Sequence, residues 1–227
     1  MELASTQQQG YGPARERFIS KTFNHLGAAL LAFVAIEVIL FKSGVAEGIA
    51  KTMLGLPWLL IIGAFTLLGW LASRTAHTVE SLPVQYAALG AYIFLESIFF
   101  VPMFYIADKF APGAIANAGL ITVLGTIGLV AIVYTSRKDF SFLGAILKWG
   151  GLLALALIVC SAIFGFKLGI FFDVVMIGFA GAAILYDTSN VIHHYPEDRY
   201  VGAALELFAS VALMLWYVLR LLISLRD

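Results

Sequence analysis

Residues 201–224 read VGAALELFASVALMLWYVLRLLIS, a stretch of 24 residues whose only charges are Glu206 and Arg220. About 20 predominantly apolar residues cross a bilayer as a helix, so this stretch is long enough to span one. The rest of the chain has the same character. Of its 227 residues, 61% are hydrophobic and 12% charged, where a soluble domain carries roughly 45–50% and about 25%. That excess implies an all-α membrane protein with several spans.

Apolar runs bounded by charges, Gly or Pro predict seven spans, at 25–41, 57–73, 84–106, 114–135, 142–166, 168–192 and 201–224. Residues 1–24 form a polar tail, with Gln7, Gln8 and Gln9 in a row, and residues 25–227 a single seven-helix domain. The tail lacks the apolar centre of a signal peptide, so the first span is expected to act as the insertion signal. Seven spans and short loops exhaust the length, which leaves no room for a catalytic domain in water. The tightest connection joins spans five and six, where a hairpin at Lys167 needs Gly165 and Gly169 for its turn.

Fourteen Lys and Arg balance fourteen Asp and Glu, so no basic excess points to nucleic acid. The charges are nevertheless sorted. Arg15, Arg17, Lys21, Arg74, Arg137, Lys138 and Arg199 fall on the N-terminal side of the bundle; Lys42, Lys51, Lys109 and Lys167 fall on the other, with Arg226 and Arg220 of the C-terminal end, so the bias is modest. This bias predicts a cytoplasmic N-terminus. Glycines inside the spans, including the pair Gly178 and Ala182, read as small residues that let helices pack closely. The single cysteine, Cys160, excludes an internal disulfide and reads as a small buried hydrophobe.

The carboxylates within the spans carry most of the functional information, because an acid at the bilayer centre costs about 2.5–3.5 kcal/mol on insertion scales. Glu96 lies near the middle of run 84–106. It reads either as an acid that glues neighbouring helices or as a point on a cation or proton path. Glu37 is close enough to the end of its run to reach the far interface, and Lys148 and Arg220 are close enough to theirs to snorkel. Asp187 and Glu206 form a candidate pair: each is five residues inside its run, on consecutive antiparallel spans, at similar depth of roughly 7.5 Å. Two acids sharing a partly desolvated site cannot both ionise cheaply, so such a pair can hold one proton or offer oxygen ligands to a hard cation such as Ca²⁺. The alternative is two interfacial acids facing headgroup water. Ser210, four residues after Glu206, shares its helical face, and Arg74 is the counter-charge nearest by topology.

Enzyme chemistry finds no motif: there is no Gly-x-Ser-x-Gly, no Walker loop and no Gly-x-Gly-x-x-Gly. A retinal pigment is excluded because 201–224 holds no lysine. The adjacent His193 and His194 lack metal-ligand spacing and read as a solvated loop, so no cofactor is expected beyond a transient Ca²⁺.

Three blocks carry a family resemblance. Arg137-Lys138-Asp139-Phe140-Ser141-Phe142-Leu143-Gly144, then Ile184-Leu185-Tyr186-Asp187-Thr188, then Ala203-Ala204-Leu205-Glu206-Leu207-Phe208 resemble, in that order, the Bax inhibitor family. The resemblance implies a seven-helix bundle with the last helix surrounded by the others, acting as a pH-sensitive calcium leak channel. Bacterial members sit in the inner membrane; eukaryotic relatives restrain cell death from intracellular membranes. It also implies a proton-sensitive latch of two aspartates on helices six and seven, near the cytoplasmic mouth and assisted by an arginine of helix two. Asp187 matches the helix-six position, but Ser210 stands where the helix-seven aspartate is expected, with Glu206 one turn earlier as the available carboxylate. Arg74 is a match by position alone. A regulator without a pore, acting through membrane-protease or stress-response partners, is the alternative function.

Overall fold

Backbone amides and carbonyls have no water to bond inside a bilayer, so runs this apolar satisfy them internally as helices. The computed structural model describes residues 12–226; the Gln7–Gln9 stretch lies outside them. Among the described residues there are eight helices and no strand: α1 (Pro13–Lys42), α2 (Val45–Leu54), α3 (Trp58–Thr78), α4 (Leu82–Phe110), α5 (Ala114–Ser136), α6 (Leu143–Phe164), α7 (Gly169–His193) and α8 (Tyr200–Ser224). All but α2 are long and apolar enough to cross a membrane, which gives the seven expected spans.

Two differences from the sequence reading lie in the first quarter of the chain. Helix α1 begins at Pro13, so residues 13–24 of the polar tail are part of the first helix. Phe18, Ile19 and Thr22 are buried while Arg17 and Lys21 are exposed, an amphipathic pattern that average hydropathy misses. The second difference is α2, too short to span, which folds back at the far end of the bundle and buries Ala46 and Ala50 against Val101 of α4.

Helix α8 packs against α1, α3, α4, α5 and α7, so the last helix is surrounded as the resemblance implies. Its Phe208 meets Phe33 of α1 and Tyr92 of α4 edge-on. Helix α4 is nearly as enclosed, whereas α6 leans on α7 with only light contact to α3. Gly165 and Gly169 both adopt positive φ, +73° and +71°, and make the hairpin around Lys167.

The small-residue contacts fall elsewhere than expected. A Cβ on Gly178 would meet nothing, because Gly178 lines an open groove, whereas a Cβ on Gly144 or Gly150 of α6 would lie 2.8 Å from Tyr186 or 2.9 Å from Phe179 of α7. Cys160 is only partly buried, because it sits on the loosely packed α6. Glu37 does not reach the interface: it is 6% exposed, and no hydrogen-bond partner meets either oxygen among the described residues. Arg220 does not snorkel either, because Asp173 on α7, 1% exposed, lies 3.1 Å from its Nε.

Candidate functional site

The N-terminal end of the bundle collects the C-terminal turns of α3 and α7 and the first turns of α8. Close approach of α3 to α8 is set at Gly202, where a Cβ would lie 3.1 Å from His77 Nε2 and 3.2 Å from the Ala76 carbonyl. That contact brings the inward stripe of α3, Ser73 and His77, onto the face of α8 that carries Glu206. Ser73 Oγ donates to Glu206 Oε1 at 2.5 Å, and His77 Nδ1 lies 3.8 Å from the same oxygen.

One turn further along α8, Ser210 Oγ donates to Asp187 Oδ2 of α7 at 2.5 Å, a length typical of a hydroxyl on a carboxylate. Asp187 is 9% exposed, and Glu206 is half-buried. Glu206 and Asp187 are within electrostatic range of each other, but each takes its hydrogen bond from a serine. Ser210, at the position where the resemblance expects an aspartate, therefore serves as the proton donor that holds Asp187 to α8.

His77 closes the cluster toward the aqueous end. Its Nδ1–H donates to the Ser73 carbonyl at 2.8 Å, and its Nε2 is hydrogen-bonded with the Tyr195 hydroxyl at 3.0 Å. Burial, with the Glu206 and Asp187 charges adding to it, pushes the Tyr195 phenol up, so this group stays a donor. Phe18 stacks on the other side of Tyr195, and Arg15 donates to the Tyr195 carbonyl at 2.6 Å. The polar first turns of α1 thus form a cover over the site.

Arg74 does not join the cluster. It is exposed, its guanidinium stands 5.2 Å from the Trp70 ring centroid, and it makes no ion pair among the described residues. The reason is helical phase: Ser73 and His77 share one face, and Arg74 is turned about 100° from Ser73. The basic side chain beside Glu206 is His77, a residue sequence reasoning passed over because its charge is conditional.

Glu96 lies deeper, 5% exposed on α4, with the Tyr92 phenol as its hydrogen-bond partner. It faces a cavity of about 1020 Å³ that runs inward from the far end between α3, α4, α6, α7 and α8 and ends at Tyr92, Glu96 and Ser210. Cavity and acid cluster therefore meet at Ser210. Among the described residues no three His, Cys, Asp or Glu come together as a metal site.

A second polar cluster, also missed, lies outside the membrane-spanning segments. In the α5–α6 connection the Asp139 carboxylate accepts from the Ser141 amide at 2.8 Å, from Ser189 Oγ at 3.2 Å and from His194 Nε2 at 2.8 Å. The Phe140 amide donates to Ser189 Oγ at 2.8 Å. The amide of Ser141, and after it His194, hold the Asp139 carboxyl well below the usual range. His194 is thus an exposed but engaged residue, not merely a solvated one.

A bundle of seven spans with the last one at its centre, and with carboxylates inside it held by serines, defines a polytopic helical membrane protein. The chain matches the family described as Inhibitor of apoptosis-promoting Bax1 over residues 15–227, and it belongs to that family. It is 30% identical to Protein LIFEGUARD 4 of Arabidopsis thaliana over 86% of this chain and 79% of the relative. It is 25% identical to the Golgi anti-apoptotic protein of vaccinia virus strain Lister, over 74% of this chain and 70% of that one. A local match of 37% identity covers 36% of this chain and 37% of Modulator of FtsH protease YccA of Escherichia coli K12.

Proposed function

We propose that the chain is a cation leak pathway that conducts Ca²⁺ and is biased by protonation at Asp187 together with Glu206. The observation that carries this reading is the order of groups along the bundle: the cavity from the far end reaches Glu96 and stops at Ser210, whose hydroxyl is tied to Asp187, beyond which lie Glu206, Ser73 and His77. Oxygen groups thus mark the route at successive depths, and hard cations take oxygen ligands. A proton on Asp187 weakens the charge-assisted bond from Ser210 and with it the tie between α7 and α8. Differential proton affinity of tied and untied packings is what lets pH shift their populations. No catalytic step enters this reading. In a bacterial cell it places the protein in the inner membrane with the N-terminus in the cytoplasm, in line with the charge bias.

The test is Ca²⁺ flux into proteoliposomes across a pH series. Flux that changes with pH in the native protein and loses that dependence in Asp187→Asn is expected; absence of flux, or an unchanged pH profile in the variant, overturns the reading. A second reading, a regulator of a membrane-bound partner, draws on the local match to Modulator of FtsH protease YccA. Partner capture from detergent that survives Asp187→Asn, in a protein without flux, is its signature.

A further inference from the structure

We propose that the far-end cavity is a binding site for an amphiphilic organic cation, a quaternary or tertiary ammonium with an alkyl tail, whose charged head rests beside Glu96. The cavity's volume, about 1020 Å³, is at the upper end of the range of small-molecule sites. Its rims are α3 and α6, which touch only lightly, so a molecule dissolved in the bilayer has a lateral way in.

Charge selects the sign of the occupant. At the outer end Arg220 is neutralised by Asp173, 3.1 Å away. At the inner end Glu96 has a hydrogen bond from Tyr92 but no Lys, Arg or His pairs with it among the described residues. The cavity therefore has a neutral mouth and a carboxyl at its base that lacks a cationic partner.

The walls select the kind of cation. Phe65 stacks on Phe99 at 4.3 Å between centroids, Phe99 on Trp216 at 4.5 Å, and Trp58 on Trp216 at 6.3 Å. These rings line the cavity but stack largely on one another, so they make an apolar, polarisable wall that suits a weakly hydrated ammonium head better than a strongly hydrated metal ion. A resident Ca²⁺ asks for six to eight oxygens. Glu96, Tyr92 and Ser210 supply too few. An alkylammonium needs none of them beyond the single countercharge, and its tail lies along the apolar groove toward the lipid. Binding at this place does not depend on the leak; blocking the leak rests on the function proposed above, because the ligand sits between the far opening and Ser210.

The measurement uses the full chain in dodecyl maltoside micelles, whose heads carry no ammonium, with Trp70→Phe and Trp149→Phe, two exposed residues, so that Trp58 and Trp216 report the cavity. Decyltrimethylammonium is titrated against decanoate, which has a similar tail and the opposite charge. A saturable fluorescence change with the cation and none with the anion is expected, and Glu96→Gln should weaken it at least tenfold. Equal responses to both amphiphiles, or unchanged affinity in Glu96→Gln, mean simple partition into an apolar groove and overturn the proposal. If Glu96→Gln does not fold, the charge-matched pair on the parent protein decides alone. Saturable binding in a protein that carries no Ca²⁺ keeps this site and rejects the leak, so the two failures are told apart.

Discussion

Ser210 is the residue on which the chain's departure from its family turns. Its hydroxyl donates to a carboxylate that is almost out of solvent, and a hydrogen bond to a charged group contributes about 1.5–3 kcal/mol. Ser210→Ala should lower stability by about that amount, read as a drop in the denaturation midpoint in detergent, and should raise basal Ca²⁺ flux. Ser210→Asp supplies the second aspartate that the resemblance implies and should steepen the pH dependence of flux, because two acids can then share a proton where one serine only donates its own. A pH profile identical to the parent's in Ser210→Asp would show that proton sharing at this place is not the sensor. Asp187, Glu206 and Ser210 were legible in the sequence, since an acid inside an apolar run demands an explanation and i, i+4 spacing fixes a shared face. Ser73 and His77 were not. A serine carries no charge to draw attention, and the rotation of α3 that turns it inward depends on packing at Gly202, which no local pattern records. Arg74 illustrates the converse error: charge and topology suggested it, and a rotation of one residue along the helix sends it to the Trp70 ring.

At the scale of elements, two contacts hold the site's helices in place. Gly202→Val should force α3 away from α8, because the added carbons meet the Ala76 backbone as well as a movable ring. Overpacking of this kind costs about 1–3 kcal/mol, and because it parts Ser73 from Glu206 it should raise basal Ca²⁺ flux, the sign expected for Ser210→Ala. A hydrogen-exchange comparison checks it, with faster exchange confined to the last turns of α3 and the first turns of α8. The other contact is the clasp of the α5–α6 connection onto the end of α7 through Asp139, Ser189 and His194. The Asp139 carboxyl is lowered in the folded chain, so its contribution to stability is complete above the ordinary aspartate value of about 3.9 and is lost as pH falls through the lower folded value. Asp139→Asn should therefore melt below the parent throughout the range from about pH 7 to about pH 5, and the two melting curves should converge only in strong acid. A margin that already vanishes near neutral pH would mean that Asp139 is not what holds the clasp. The sequence block around Asp139 signalled the family, but the clasp joins positions about 50 residues apart, so its partners emerge only once α7 is docked. Span count and order were legible because hydropathy over 20 residues is a local property. The early start of α1 and the existence of α2 were not, since both are set by one buried face against neighbouring helices.

Across the whole molecule, the balance of fourteen bases and fourteen acids resolves into a gradient of roles. At the N-terminal end Arg15 is tied to the α7–α8 connection and Arg199 to the Val79 carbonyl, while Arg17, Arg137 and Lys138 stand exposed there. That end is also where the acid cluster can be reached from water. Asp187 lies about 9 Å from the His193 end of α7, against about 27 Å from its Gly169 end, at 1.5 Å per residue. Approach from the far end leads through the cavity, whose aromatic walls hold water poorly and whose base is the carboxyl of Glu96. A proton that acts on Asp187 therefore arrives from the side of the N-terminus. In proteoliposomes whose orientation is fixed by impermeant maleimide labelling of a single cysteine at Ser141, with Cys160→Ala as background, acidifying the N-terminal compartment should change Ca²⁺ flux and acidifying the opposite one should not. Equal sensitivity on both sides would mean that the cavity is hydrated through to Ser210, and the route would then conduct protons as readily as it admits cations. In cells, the same Ser141 cysteine should be protected from impermeant reagent until the membrane is opened, as the distribution of Lys and Arg requires of an N-terminus kept inside.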